Sequence, residues 1–291
     1  MSVGTTVALP ASVDEEGGLE GLSGVDPLRP FIRWPGSKRL LLRQLLELVP
    51  ARVATYYEPF LGGGSLLLAL RPQQAVIGDV LDPLMAAWAA VKSDPDALLA
   101  QLDRWPFNRD FYMKLRAEER RNPIEKAARF LYLNRGAYGG IWRVNSRGLF
   151  NVPWADPKTP SLLDEVNLRE VSAYLNKAEV QLMCVDWQEV TRNASAGDLV
   201  FLDPPYSKGR AQRPFVEYNQ TSFSWDSQVE LANEALRLRE NGASVLVTNS
   251  SHPDVPHLYP GFRMIDVTRH SSLGSHKHSS KVITERIFSS I

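Results

Sequence analysis

The chain has 291 residues, 33 Lys+Arg against 33 Asp+Glu, and 44% hydrophobic residues. That length fills one large domain or two modest ones, and the composition excludes low-complexity disorder as the main state. A net charge of zero argues against coating nucleic acid by bulk charge and leaves room for a local basic face.

Cys184 is the one cysteine. It cannot close an intramolecular disulfide, and with five scattered His it cannot supply a four-ligand zinc site of the Cys type. A cytosolic, reducing setting is expected, without a signal peptide or membrane span. Apolar runs such as Leu66 to Leu70 fall far short of the ~20 residues that a span needs.

Residues 1–28 hold Asp14, Glu15, Glu16, Glu20 and Asp26, no Lys or Arg, many Gly and Ser, and no periodicity. They are expected to be a disordered acidic tail. The compensating basic excess falls mostly in residues 101–150, where eleven Lys or Arg meet five Asp or Glu. On charge alone that stretch reads equally as a solvated helix face with i,i+4 pairs and as a surface for nucleic acid.

Ser37 before an amphipathic run predicts a capped helix ending at Pro50. Thr55 to Phe60 then reads as a strand running into Gly62, Gly63 and Gly64 and a helical Ser-Leu-Leu-Leu-Ala-Leu. A second strand, Ala75 to Gly78, ends at Asp79 and precedes a helix from Pro83 to Lys92. Two strand-helix units in succession predict a parallel sheet with helices on its faces. From Asp94 to about Asn134 the pattern is helical, with Asn108 and Asn122-Pro123 as start signals. Gly136 to Trp154 mixes Gly, aromatic and Arg residues around the turn Asn145-Ser146-Arg147-Gly148, which predicts a projecting hairpin or loop. Further strands are expected at Val180 to Cys184, Leu199 to Leu202, Ser244 to Thr248, Met264 to Thr268 and Val282 to Phe288. The division that follows is a catalytic α/β domain of residues 29–93 and 155–291, with residues 94–154 inserted.

Two segments carry chemistry. Glu58-Pro59-Phe60-Leu61-Gly62-Gly63-Gly64-Ser65 puts glycines where a strand turns into a helix, so backbone can approach a ligand closely. Asp79 follows at the end of the next strand, where an acid binds ribose hydroxyls or merely caps a turn. Leu199-Val200-Phe201-Leu202-Asp203-Pro204-Pro205-Tyr206 delivers an acid, two prolines and an aromatic to a strand's carboxyl end. An amino group conjugated to an aromatic ring is a poor nucleophile. The Asp203 carboxylate and a proline-pair carbonyl can accept its two N–H hydrogens and draw the nitrogen towards tetrahedral geometry. Tyr206 can stack on the base.

In these residues the sequence resembles the S-adenosylmethionine-dependent amino-methyltransferases, and within them the Dam-type class α DNA adenine-N6 methyltransferases. The resemblance runs from Phe31 to the C-terminus. It implies a Rossmann-like methyltransferase sheet, mostly parallel with an antiparallel C-terminal hairpin, plus an inserted helical target-recognition domain carrying a β-hairpin. Arg33-Trp34-Pro35-Gly36-Ser37-Lys38 looks like the N-terminal cofactor motif, from which Pro35 and Ser37 depart; Trp34 and Lys38 carry over as cofactor contacts. Phe60, Gly62 and Gly64 of the glycine motif, Asp79, and Asp203 are implied to touch the cofactor too. Asp186-Trp187 looks like the pair that holds its adenine. Phe130 to Arg135 and the segment to Pro153 are similar to the target-recognition hairpin, which implies Arg135, Tyr138, Arg143, Asn145 and Arg147 as DNA contacts. Relatives carry Asn where this chain has Gly139. Phe215 to Leu231 resembles the loop after the catalytic motif, with Tyr218 and Phe223 matching.

The implied reaction takes the methyl group of S-adenosylmethionine to an adenine flipped out of double-stranded DNA, without a metal. The implied protein acts in the bacterial or phage-infected cytoplasm, as a monomer or weak dimer, with a cognate restriction endonuclease as a further partner. His270, His276 and His278 read as a phosphate-touching loop and not as a metal site. Rival readings keep the chemistry on cytosine N4, RNA adenine or a protein glutamine. Others make the chain a non-catalytic DNA binder or a dehydrogenase, which leaves Asp-Pro-Pro-Tyr unexplained.

Overall fold

The computed structural model describes residues 28–157, 162–206, 223–270 and 282–291, and the short pieces 5–6, 12–13 and 19–20. The tail expected over residues 1–28 lies almost wholly outside these, as do Tyr218, His276 and His278. The tail's described pieces form two-residue strands, Thr5–Thr6 paired with Arg52–Val53 and Ser12–Val13 with Leu19–Glu20.

Among the described residues seven strands make the main sheet: β1 (Tyr56–Glu58), β2 (Gln74–Gly78), β3 (Glu179–Met183), β4 (Leu199–Leu202), β5 (Ser244–Ser250), β6 (Arg263–His270) and β7 (Val282–Ser289). Their order is β6-β7-β5-β4-β1-β2-β3. β1 to β5 run parallel, and β7 and β6 form the antiparallel edge. All four residues of β4 are buried, as expected of a central parallel strand covered on both faces. The strand order reverses between β1 and β4, which pair through Tyr56 with Leu199 and Tyr57 with Val200. A crevice outside the carboxyl ends of the strands opens at such a reversal.

The helices are α1 (Leu42–Glu47), α2 (Ser65–Leu70), α3 (Asp82–Ser93), α4 (Pro95–Asp103), α5 (Arg109–Ala117), α6 (Pro123–Gly136), α7 (Glu165–Lys177), α8 (Trp187–Thr191) and α9 (Trp225–Glu240). The expected start signals act as caps. The Asn108 side chain accepts from Phe111 N–H at 2.9 Å, and Asn122 accepts from Ile124 at 2.9 Å and Glu125 at 3.2 Å. One hydrophobic core runs from Leu28 through α4, α5 and α6 to Val267, so the inserted helices share the core of the sheet.

Two expectations need correction, and a third holds in reduced form. Ser37 does not cap a long helix: a 3-10 turn, Lys38–Leu41, leads into the short α1 and receives no side-chain cap. The Ser37 hydroxyl lies instead 2.9 Å from that of Ser65, because this segment closes over the glycine turn. The recognition hairpin is present in short form around the expected turn, with Asn151 N–H donating to the Arg143 carbonyl at 3.0 Å and Asn145 N–H to that of Leu149 at 2.8 Å. It holds isolated bridges at Ala137–Trp154 and Val144–Phe150, because the 3-10 turn Tyr138–Gly140 breaks the pairing between them. Of the loop expected from Phe215 to Leu231, only residues from 223 on are described, and there Ser224, whose hydroxyl accepts from Ser227 N–H at 3.0 Å, starts α9.

Candidate active site

At the reversal between β1 and β4 lies a cavity of about 680 Å³. Its wall contains every residue that the sequence put on the cofactor or the target amine. The N-terminal segment supplies Trp34 and Lys38, the glycine turn Phe60, Gly62 and Gly64, the end of β2 Asp79, and the start of α8 Asp186 and Trp187. The end of β4 supplies Asp203, Pro204, Pro205 and Tyr206.

The glycine turn is shaped by tryptophans as well as by room for a ligand. A Cβ on Gly62 would lie 2.5 Å from Trp34 Cδ1, and one on Gly64 2.7 Å from Trp88 Cζ2. The Trp88 indole N–H donates to the Gly62 carbonyl at 3.1 Å. Asp79 holds the same turn from the other side: Oδ2 accepts from Gly62 N–H at 3.2 Å and Oδ1 from Leu81 N–H at 3.0 Å. The reading of Asp79 as a turn residue therefore describes real bonds, and the carboxylate keeps capacity to accept further. Burial raises the Asp79 carboxyl above its ordinary value, and these backbone bonds oppose the rise.

Asp203 is held from several elements. Its Oδ1 lies 2.7 Å from Lys38 Nζ and accepts from the Thr248 hydroxyl of β5 at 2.5 Å. Burial pushes the Asp203 carboxyl up, while Lys38 and Thr248 pull it back. Beneath it Glu58 is fully buried and pushed up to about 8 by desolvation, with the Asp203 charge adding to the rise. The Tyr56 hydroxyl donates to Glu58 at 2.9 Å. The Pro205 carbonyl accepts from Gln228 Nε2 at 2.8 Å, and Asn249 Nδ2 donates to the other end of that amide at 2.9 Å. Among the described residues no donor is seen on the Pro204 carbonyl, whereas the Pro205 carbonyl already holds one.

Motif reasoning missed Thr248, Asn249 and Glu285, because each comes from a strand whose local pattern is unremarked core, and it passed over Gln228 within the segment Phe215 to Leu231. It also missed Val80, exposed beside Asp79 and on the cavity wall, which the run Asp79-Val80 could have suggested.

The expected DNA contacts lie outside the cavity wall. Tyr138 is 53% exposed, and Arg143 is exposed with its Nε donating to Asn151 Oδ1 at 2.8 Å. Asn145 is half-buried and its Oδ1 accepts from Arg147 and Leu149 N–H at 2.9 and 3.0 Å, which makes it the turn former. Arg147 is exposed, and Arg135 is half-buried at the end of α6. Asn134, one residue earlier, ties this loop to the cofactor segment: its side chain accepts from Arg33 N–H at 3.0 Å and donates to the Arg33 and Gly140 carbonyls at 2.7 and 2.8 Å. Much of the basic excess serves the fold. Arg129 donates to the Leu115 and Arg116 carbonyls, Arg116 to that of Val152, Arg120 pairs with Glu118 and Glu125, and Lys126 pairs with Asp82.

A Rossmann-like sheet whose order reverses over a glycine turn, with Asp-Pro-Pro-Tyr at the adjoining strand end, defines a nucleoside-cofactor methyltransferase. Residues 34–273 match the family model of the D12 class N6 adenine-specific DNA methyltransferases, and the chain belongs to that family. It is 34% identical over 268 residues to the type II methyltransferase M1.LlaDCHI of Lactococcus lactis subsp. cremoris, covering 89% of this chain and 94% of that one. It is 33% identical over 261 residues to the type II methyltransferase M.MjaIII of Methanocaldococcus jannaschii, covering 81% and 90%. With the DNA adenine methylase of Vibrio cholerae it shares 28% over 244 residues, covering 81% and 86%. Membership makes the chain an adenine-specific DNA methyltransferase and implies S-adenosylmethionine, in general, as methyl donor. Among the described residues no helix is long and apolar enough to cross a membrane.

Proposed function

We propose that the chain transfers a methyl group to N6 of an adenine extruded from double-stranded DNA, with the cofactor and the base side by side in the cavity. The observation that carries this is the pair of acceptors at the end of β4, the Asp203 carboxylate and the Pro204 carbonyl, with the neighbouring Pro205 carbonyl already taken by Gln228. Two acceptors suit the two hydrogens of an exocyclic amine, whose lone pair they free for attack.

S-adenosylmethionine, when bound, supplies an electrophilic methyl on a sulfonium. The cavity fits it: Asp79 and Asp186 offer carboxylates to its hydroxyl and amino groups, and Phe60, Val80 and Trp187 offer apolar surface to its adenine. Trp34 packs on the glycine turn and shapes the floor beneath it. Tyr206 stacks on the extruded base. Within a duplex that base must leave the stack, at about a few kcal/mol; exposed Tyr138 fills the gap and Arg143 reads a base edge. Arg135 and Arg147 hold phosphate, which positions without specifying. A cognate restriction endonuclease is the partner suggested by the type II names of two relatives.

Asp203→Ala tests the assignment. Methyl transfer to DNA should fall to background while cofactor and DNA binding stay close to those of the unsubstituted chain. Retained turnover would sink the mechanism.

A further inference from the structure

Glu285 belongs to none of the motifs that define the site, yet its carboxylate lies inside it. β7 runs antiparallel to β5, with Glu285 opposite Ser250, and the residue is 3% exposed. Its Oε2 accepts from the Tyr206 hydroxyl at 2.7 Å and faces Lys38 Nζ at 3.8 Å. The same ammonium lies 2.7 Å from Asp203 Oδ1, stands 4.9 Å from the centre of the Tyr206 ring, and donates to the Gly36 carbonyl at 2.7 Å.

Buried charges are costly unless they are paired. Lys38 and Asp203 alone would make a neutral pair in which the ammonium saturates one carboxylate oxygen. Glu285 brings a second carboxylate within reach of the same ammonium, so Lys38 is drawn towards both acids and not towards Asp203 alone. The proposed reaction beside it has a sulfonium donor and an acceptor nitrogen that gains positive charge, the situation in which carboxylates fixed nearby stabilise the transition state.

We infer that Glu285 is a positioning residue for methyl transfer: it shares the Lys38 ammonium with Asp203 and fixes the Tyr206 hydroxyl, leaving Asp203 free to accept from the adenine amine. This deepens the adenine-transfer reading above and rests on it. The antiparallel C-terminal strand thereby becomes part of the active site.

Among the described residues, the charged and titratable groups acting on Asp203 are Lys38 from the N-terminal segment, Tyr56 and Glu58 from β1, Tyr206 from its own loop and Glu285 from β7. Glu285 and Lys38 act on it in opposite directions, the first raising its carboxyl and the second lowering it.

Glu285→Gln in the full chain keeps the shape of the side chain and an acceptor for Tyr206 while removing the charge. Transfer of labelled methyl from S-adenosylmethionine to unmethylated plasmid DNA is followed in a single turnover from about pH 5 to 9, beside cofactor binding and thermal denaturation. The rate should fall about tenfold or more, with cofactor affinity within about twofold and melting little changed. The acid limb of the profile should move to lower pH, since Asp203 loses a like charge. An unchanged rate overturns the inference. So does a loss that tracks melting and cofactor affinity with the acid limb in place, because a mere structural brace would give that result. Glu285→Asp, which keeps the charge, covers the case in which the Gln variant does not fold: its acid limb should stay at the position seen for the unsubstituted chain, and displacement would overturn the role of the charge. Absence of transfer by the unsubstituted chain would sink the adenine reading and this inference with it.

Discussion

Gly64 sits at the N-terminus of α2 with φ 64° and ψ 36°, and a Cβ there would lie 2.7 Å from Trp88 Cζ2 and 2.8 Å from Cη2. Gly64→Ala therefore meets two costs. The left-handed backbone costs about 1–2 kcal/mol for a residue with a Cβ, and forcing a methyl into a packed core costs about 1–3 kcal/mol more. Trp88 cannot swing aside cheaply, since it is fully buried and its indole N–H is bonded to the Gly62 carbonyl. Gly148 is the control: its φ is +74° and nothing lies within 4 Å of a Cβ there, so alanine meets the backbone cost alone. Denaturant unfolding should give a loss of about 2–5 kcal/mol for Gly64→Ala and about 1–2 kcal/mol for Gly148→Ala. Gly64→Ala combined with Trp88→Leu should be less destabilised than the sum of the single variants, because the methyl and the indole share one space. Equal losses at positions 64 and 148, or strict additivity with Trp88→Leu, would refute the claim that packing against Trp88 requires the glycine.

Other outcomes follow from the charges of the site. Lys38→Met should move the acid limb of methyl transfer to higher pH, because it removes the cation that holds the buried Asp203 carboxyl down; a limb that stays in place would separate Lys38 from that task. Glu58 is raised from 4.5 to about 8 by burial, so the folded state prefers its protonated form and loses stability as pH rises from the unfolded value towards 8. Glu58→Gln should flatten that part of the stability profile by a few kcal/mol at most, read from unfolding at several pH values, and an unchanged slope would refute it. Arg143→Ala should relax preference at one base pair by about 1–3 kcal/mol in binding to a panel of duplexes, whereas equal weakening on all sequences would make Arg143 a phosphate contact.

The parts of the fold legible in the sequence were those written locally. The apolar run Leu199–Leu202 ending at Asp203 announced a central parallel strand and its functional end, and the glycine turn with Asp79 announced the crevice beside it. Residues joined only by strand pairing were not legible. Thr248 and Glu285 reach Asp203 and its neighbours because β5 pairs with β4 and β7 with β5 in a particular order and register, which no local pattern specifies. Ser37 misled because a serine before an amphipathic run reads as a cap, while in the fold its hydroxyl meets Ser65. The basic middle misled in part for a similar reason. Arg116 and Arg129 spend their donors on backbone carbonyls, which charge counting cannot see.

The most direct test of the account is the identity of the product. The chain is incubated with labelled S-adenosylmethionine and, separately, unmethylated genomic DNA, RNA and protein, and the labelled material is digested and analysed. The account predicts N6-methyladenine from double-stranded DNA, with the label lost in Asp203→Ala. Label on cytosine N4, on RNA or on a protein amide, or label that persists in Asp203→Ala, would contradict it.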